Sequence, residues 1–173
     1  MYQSQYIFCS GSSCDPFLGL FSLDGQVNGP QADTIYGGKG NDTIFTASND
    51  VGSRVYGEAG GDVITVVHGM ADGGEDNDLY TIGTPGLVTI QDDGASREDK
   101  LVLSYISSSQ LLIDRVGDDL YLHRSSFAPG TTPQEGVQLK GWFAGFDTIE
   151  QIQTANGQII NLPANSDAFA MFG

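Results

Sequence analysis

The nonapeptides GGKGNDTIF (residues 37–45), GEAGGDVIT (57–65) and GGEDNDLYT (73–81) share one pattern of glycine, aspartate and apolar residues. Each has glycine among its first four positions, an aspartate in sixth place and a large apolar residue in eighth place. The aspartates are Asp42, Asp62 and Asp78, and the apolar residues are Ile44, Ile64 and Tyr80. One such segment would be explained by an ordinary β-turn. Three copies in register, with degenerate copies between them, indicate an internal repeat of the form G-x-x-G/D-x-D-x-U-x, where U is apolar.

The spacing of the aspartates predicts a coil. Asp42, Asp62, Asp78 and Asp99 follow one another at intervals of 20, 16 and 21 residues, each close to two nonapeptides. If each nonapeptide is a loop followed by a short strand, two of them complete one turn of the coil. The intact loops then stack along one edge, and residues 48–53, 68–72 and 83–86 form the opposite edge. Side chains at alternate strand positions point inward, and these are Ile35, Ile44, Val55, Ile64, Tyr80 and Leu101.

The glycines and aspartates of the loops predict a metal site. Glycine permits backbone conformations that side chains forbid, so a loop rich in it can turn its carbonyl oxygens toward one point. Calcium takes six to eight oxygen ligands and accepts flexible geometry. Plain β-turns would explain the glycines but not an aspartate in the sixth place of every intact loop.

Composition restricts the partners. The chain has 173 residues, which fits one domain, and 24 of them are glycine, about twice the usual ~7% share. A net charge of −15 with only seven Lys and Arg residues argues against a nucleic-acid or anionic-membrane partner and favours a divalent cation. We find no apolar run near the roughly 20 residues of a membrane span, and no N-terminal signal peptide is recognisable.

Enzymatic chemistry is not indicated. His68 and His123 are the only histidines, and neither is placed beside a nucleophile, so we expect both at the surface. Cys9 and Cys14 either close a small disulfide ring or remain two thiols, and a zinc site would need further ligands nearby. The Asp15-Pro16 pair is expected to be a plain turn.

On these motifs, residues 28–103 resemble the calcium-binding β-roll of the repeats-in-toxin (RTX) family, whose members leave Gram-negative bacteria by type I secretion. The resemblance implies an all-β, right-handed parallel β-roll in which an ion lies between two loops stacked on one edge. It implies two or more calcium ions, with a third against Asp92 or Asp99. The implied ligands are Gly37, Gly38, Lys39, Gly40 and Asp42; Gly57, Glu58, Ala59, Gly60 and Asp62; and Gly73, Gly74, Glu75, Asp76 and Asp78.

Two loops depart from the family pattern. Asp76 stands in place of the fourth glycine and must accept a left-handed backbone. Glu58 stands in place of the second glycine, so we expect that loop to bind its ion with altered geometry.

The flanking segments are predicted to cap the roll. Residues 104–173 resemble the non-repetitive segment that follows the roll in many RTX proteins and predict antiparallel strands around the turns at 117–119 and 156–157. Trp142 and Phe143 are expected in the core of this C-terminal cap, which covers the open end of the coil. Residues 1–27 match no familiar pattern and are assigned to an N-terminal cap.

The resemblance implies a function without catalysis. The chain is expected to be a secreted, extracellular module that folds on binding calcium after the type I secretion apparatus exports it, within a larger toxin-like parent. The alternative is an adhesin-type module that binds a glycan, a peptide or a surface. Its candidate contact residues are Tyr2, Tyr6, Phe8 and Phe17.

Overall fold

The structure, a computed structural model, describes residues 34–46, 52–92, 96, 98–128, 131–145 and 149–162, together with the backbone of short strands at 6–8 and 21–22. Cys9, Cys14 and the Asp15-Pro16 pair lie outside the described residues. Within these ranges the chain is almost entirely β, with one 3-10 turn at Trp142–Ala144. None of the described helical structure is long and apolar enough to cross a membrane.

The described strands form two sheets. The first sheet contains, in chain order, β1 (Tyr6–Phe8), β3 (Thr34–Lys39), β5 (Arg54–Ala59), β7 (Gly69–Glu75), β9 (Leu87–Ile90), β11 (Leu112–Val116), β12 (Asp119–His123) and β13 (Gly136–Leu139). The second contains β2 (Phe21–Ser22), β4 (Thr43–Phe45), β6 (Val63–Thr65), β8 (Leu79–Ile82), β10 (Lys100–Leu103), β14 (Gln151–Thr154) and β15 (Ile159–Asn161).

The chain alternates between the sheets, so the repeats wind into a parallel β-solenoid. The spatial order is β1-β3-β5-β7-β9-β13-β12-β11 in one sheet and β15-β14-β10-β8-β6-β4-β2 in the other. All neighbours within the repeat region, from β1 to β10, pair in parallel. This confirms the predicted all-β fold of stacked coils, which is compatible with a β-roll.

The core lies between the two sheets and follows the predicted inward stripe. In the second sheet Ile44, Ile64, Tyr80 and Leu101 are in register from strand to strand, and all are buried. Ile35, Val55, Ala71 and Ile90 form the facing row in the first sheet. Every residue predicted to point inward is therefore in the core. Successive side chains of a strand point to opposite faces of the sheet, so the repeat places its apolar residues on the same face in every coil.

The edge opposite the glycine loops differs from the prediction at residues 68–72. Strand β7 begins at Gly69, so this turn is limited to 66–68. The coil from Asp62 to Asp78 is shorter than its neighbours, while the gap between strands at the glycine loops stays constant. This coil is therefore shorter because its turn at the opposite edge has fewer residues. Residues 83–86 form a turn as expected, and 48–53 lie largely outside the described residues.

The C-terminal segment continues both sheets and then closes them. Strands β13 and β14 pair in parallel with β9 and β10, and the antiparallel hairpins β11–β12 and β14–β15 follow outside them. The predicted turns fall at Gly117 and Gly157, both with positive φ. Trp142 is buried in the common core and Phe143 packs against it. The expected cap core is therefore present, continuous with the coil.

Candidate metal edge of the coil

The three glycine loops stack directly on one edge, which we call the aspartate edge (residues 37–42, 57–62 and 73–78). Gly38 pairs with Glu58 and Glu58 with Gly74 in the parallel ladder. The Gly40 N–H donates to the Ala59 carbonyl at 2.7 Å, and the Gly60 N–H donates to the Glu75 carbonyl at 3.3 Å. Equivalent positions of consecutive loops are thus neighbours, as the spacing predicted.

Each loop has a left-handed backbone at its second and fourth positions. The φ angles are 102° at Gly38, 79° at Glu58, 96° at Gly74, 109° at Gly40, 119° at Gly60 and 74° at Asp76. Asp76 therefore accepts the left-handed conformation expected of it. Glu58 keeps the same kind of backbone as the two glycines beside it, and the altered geometry of ion binding expected at this loop stays a prediction. The cost is strain, because a side chain in this region is unfavourable by roughly 1–2 kcal/mol.

This strain gives a prediction. Replacing Glu58 with glycine is expected to raise the free energy of unfolding by about 1 kcal/mol, because glycine adopts φ near 79° without steric cost. Urea denaturation at fixed calcium measures the change. Glu75→Gly is the matched control, since Glu75 is not among the positive-φ residues and should lose stability instead. A loss of stability in Glu58→Gly would contradict the prediction.

The aspartates form a ladder of carboxylates along this edge. The N–H of Asp42 donates to Oδ1 of Asp62 at 2.7 Å, and the N–H of Asp62 donates to Oδ1 of Asp78 at 2.7 Å. The N–H of Asp78 donates to Oδ1 of Asp99 at 2.8 Å, and the N–H of Asp99 donates to Oε2 of Glu150 at 2.8 Å. The carboxylates of Asp62, Asp78, Asp99 and Glu150 are therefore each held by the backbone N–H of the preceding rung.

The second oxygen of each ladder carboxylate has no donor. Oδ2 of Asp42, Asp62 and Asp78 is buried and accepts no hydrogen bond. An unsatisfied buried carboxylate oxygen costs free energy, so three in equivalent places require an explanation such as an ion.

Glycine at the first loop position makes room for these oxygens. A Cβ on Gly57 would overlap Oδ2 of Asp62 and lie 2.5 Å from the Gly73 carbonyl oxygen. A Cβ on Gly37 would lie 2.9 Å from Oδ2 of Asp42 and 2.7 Å from the Gly57 carbonyl oxygen. The unpaired carboxylate oxygen of one loop and the carbonyl oxygen of the next therefore flank the same space. Oxygen atoms from both sources are the donor set that calcium prefers.

The predicted ligands divide into two groups. Asp62, Asp78, Asp92 and Asp99 are buried, whereas Asp42 is half-buried with a buried Oδ2. The side chains of Lys39, Glu58, Glu75 and Asp76 are exposed, so these residues contribute to the edge through their backbone. Gly37, Gly38, Gly40, Gly57, Ala59, Gly60, Gly73 and Gly74 likewise have only backbone oxygens to offer.

Burial raises the pKa of the ladder aspartates. Desolvation raises the pKa of Asp78 to about 8, the N–H of Asp62 lowers it, and the charges of Asp92, Asp62 and Asp99 raise it further. Desolvation raises the pKa of Asp62 to about 7, against the lowering effect of the Asp42 N–H. Burial also raises the pKa of Asp42 and Asp99. Without a cation, the edge therefore holds protons near neutral pH.

The pKa shifts predict how the metal-free fold responds to pH. An aspartate in the unfolded chain ionises near pH 3.8, whereas Asp62 and Asp78 in the fold retain protons to about 7 and 8. Their contribution to stability is fully present below pH 3.8 and is lost as pH rises through the folded pKa values. The folded fraction of the metal-free protein should therefore fall between pH 4.5 and 8, and the β signal in circular dichroism measures this fraction.

A variant separates this effect from general charge repulsion. Asp78→Asn should flatten the pH profile, and the exposed Asp76→Asn should leave its shape unchanged. A β signal that rises with pH across this window in the metal-free wild type would contradict the prediction.

The sequence analysis missed Glu150 and the polar contacts of the Tyr80 hydroxyl. Glu150 directly precedes β14 as Asp99 precedes β10, and it supplies the last rung of the ladder. An acidic residue immediately before a short apolar strand is the signal that could have found it. The hydroxyl of Tyr80, assigned only to the core, accepts from the Gly73 N–H and donates to Oδ2 of Asp92, both at 2.5 Å.

The expected surface position of His123 is wrong. Its side chain is 1% exposed, and its ring nitrogens lie 2.8 Å from Oδ2 of Asp114 and 2.9 Å from the Ser125 carbonyl oxygen. Because both nitrogens have hydrogen-bond partners, the ring can be buried without an unsatisfied polar atom. His68 is half-buried beside Gly86.

Comparison with known proteins finds no matching family model, no matching curated protein and no matching solved structure.

Proposed function

We propose that this chain is a calcium-binding module that completes its folding when calcium fills the aspartate edge. One observation carries the proposal: Oδ2 of Asp42, Asp62 and Asp78 is buried without a donor in three consecutive loops. Each of these oxygens borders space kept open by a glycine. The carbonyl oxygens of Gly57 and Gly73 flank the spaces beside Asp42 and Asp62, respectively. A bound cation would satisfy the carboxylates and cancel part of the −15 charge.

The residues that would hold calcium belong to neighbouring loops. Loops 37–42 and 57–62 would hold one ion, and loops 57–62 and 73–78 another, through aspartate oxygens and loop carbonyls. Asp62 therefore belongs to both sites. Calcium supplies positive charge and oxygen coordination, and the chain supplies the stacked loops that bring those oxygens together. Because the loops meet only in the folded coil, binding stabilises the fold.

The resemblance to RTX rolls supports a role after secretion. Calcium is scarce in the cytosol and millimolar outside cells, where such modules bind with a Kd of about 10⁻⁴ to 10⁻³ M. In this proposal the chain stays unfolded during type I export and folds in the extracellular medium. Activity toward a substrate would belong to other parts of a larger parent protein. The adhesin-type alternative depends on Tyr2, Tyr6, Phe8 and Phe17, whose side chains lie outside the described residues, and it stays a prediction.

Circular dichroism with and without calcium tests the proposal. At pH 7.5 the chelated protein should show little β signal, and added calcium should produce a cooperative gain at submillimolar to millimolar concentration. Magnesium is the control ion, since it prefers strict octahedral geometry and retains its water. Full β content in chelator, unchanged by calcium, would contradict the proposed function.

A further inference from the structure

His123 is a buried histidine that the proposed function does not use. It is the last residue of β12, and its side chain is 1% exposed. Its Nε2 lies 2.8 Å from Oδ2 of Asp114 on β11, and its Nδ1 lies 2.9 Å from the carbonyl oxygen of Ser125. The ring therefore connects β11, the outermost strand of the first sheet, to the segment that follows β12.

Both partners of the ring are hydrogen-bond acceptors. A backbone carbonyl and an ionised carboxylate can only accept, and the Asp114 side chain is 51% exposed, so water can solvate its charge. A neutral imidazole has one N–H donor and one acceptor nitrogen, so it can satisfy only one of the two oxygens. An imidazolium has two N–H donors and satisfies both. The contacts of His123 are therefore those of the doubly protonated ring.

The other charged side chains of the surrounding elements have partners of their own. Arg115 and Asp118, in the β11–β12 hairpin, form an ion pair at 3.8 Å. Arg124 and Glu135, between β12 and β13, form an ion pair at 3.3 Å, and the Arg124 guanidinium lies over the Tyr105 ring. Among the described residues, these groups thus contact one another rather than the imidazole.

The bonded carbonyl belongs to a segment that lines a cavity. Residues 125–128 form one side of a cavity of about 550 Å³, and residues 131–135 form the other side. The Phe127 ring packs edge to face against the His123 ring, with centroids 5.2 Å apart. The imidazole therefore holds this side of the cavity through a hydrogen bond at Ser125 and an aromatic contact at Phe127.

We propose that His123 is a proton-dependent latch: its imidazolium holds residues 125–128 against β11, and loss of one proton releases them. A neutral ring would leave a nitrogen lone pair facing an oxygen at 2.8 or 2.9 Å, so one contact must break. The hydrogen bond to an ionised carboxylate is the stronger one. The remaining proton therefore stays on Nε2, facing Asp114, and the Ser125 contact is lost.

The latch would respond to pH near neutrality, because histidine is the side chain whose charge ordinarily changes between pH 5 and 8. It lies in the C-terminal cap and uses no residue of the aspartate edge. It is therefore independent of the proposed calcium sites.

Amide hydrogen exchange of the full chain, followed by NMR in saturating calcium, tests the latch. After correction for the intrinsic effect of pH, exchange in residues 125–128 should rise about tenfold from pH 5.5 to 8.5, the effect of losing one hydrogen bond. Asp114→Asn should abolish this rise, because its amide can donate to the neutral Nε2 while Nδ1 donates to Ser125. Asp118→Asn is the matched control, an exposed carboxylate in the same hairpin, and should keep the wild-type rise.

Imidazole ¹⁵N NMR gives a second measurement that needs no substitution. At pH 5.5 both nitrogens of wild-type His123 should be protonated and hydrogen-bonded, and at pH 8.5 only Nε2 should retain its proton. This measurement decides the question if Asp114→Asn fails to fold.

The outcomes support or overturn the latch. Release of residues 125–128 at high pH in the wild type and in Asp118→Asn, but not in Asp114→Asn, supports it. Equal corrected exchange at both pH values in the wild type overturns it, and so does an equal rise in Asp114→Asn and wild type. A single protonated nitrogen at pH 5.5, or protonation of Nδ1 alone at pH 8.5, also overturns it. Failure of the chain to bind calcium would contradict the proposed function and would leave these expectations for the cap unchanged.

Discussion

Replacing Gly73 with alanine is expected to destabilise the coil by roughly 3 kcal/mol, the upper part of the range for an overpacked core. A Cβ at this position would overlap Oδ2 and Cγ of Asp78 and lie 2.6 Å from the Tyr80 hydroxyl. Asp78 and Tyr80 are both buried, with 2% and 0% exposure, so neither side chain can move into solvent. The clash must displace the Asp78 carboxylate from the aspartate edge or separate the two coils.

Gly83→Ala is the matched control. Gly83 lies on the opposite edge, and a Cβ added there meets no atom within 4 Å. This change should alter stability by less than about 0.5 kcal/mol. Urea denaturation of both variants in calcium gives the comparison. If Gly73→Ala were as stable as the wild type, the space beside Asp78 could accommodate a Cβ, which would contradict the prediction.

Asp62→Asn should have opposite effects with and without calcium. Asp62 belongs to both proposed loop sites, and each site contributes about 2.7 kcal/mol when calcium is at 100 times its Kd. Loss of both would remove about 5 kcal/mol of calcium-linked stabilisation. Without calcium the variant should be more stable than the wild type near pH 8, because it removes a carboxylate whose pKa burial raises to about 7.

The geometry around Asp62 explains the gain without calcium. Oδ1 of residue 62 would still accept the N–H of Asp42, as it does at 2.7 Å in the wild type. The amide nitrogen would replace the unpaired Oδ2, in space that the Gly73 carbonyl oxygen also borders. A donor would thus stand where an orphan acceptor stood. The β signal of variant and wild type in chelator near pH 8 measures the gain, and thermal melts in calcium measure the loss. A variant that keeps the full calcium response would contradict the two-site role of Asp62.

The coil could be predicted from the sequence because each repeat contains a loop followed by a strand, and the repeats recur at a nearly constant spacing. Asp42, Asp62 and Asp78 recur at spacings that match one turn, and each precedes a strand with an apolar residue two positions later. The register of Ile44, Ile64 and Tyr80 follows from that pattern. The left-handed backbone at Asp76 was likewise predictable, since the alignment places it where the repeat has glycine.

The tertiary contacts of Asp92, Glu150 and His123 could not be predicted in the same way. Asp92 takes the place of a loop glycine only after the parallel register of β7 and β9 is known, and the loop that contains it fits the repeat poorly. Glu150 lies 51 residues from its partner Asp99 and belongs to the non-repetitive segment. The burial of His123 depends on Asp114, across the antiparallel pair β11–β12. Each of these contacts follows from tertiary pairing, which a periodic pattern does not specify.

X-ray diffraction from crystals grown in millimolar calcium, with anomalous scattering used to locate the ions, tests the central claim most directly. The claim predicts calcium peaks between loops 37–42 and 57–62 and between loops 57–62 and 73–78, beside Oδ2 of the ladder aspartates. Oδ2 atoms paired with protein donors, or calcium found only away from the aspartate edge, would contradict it.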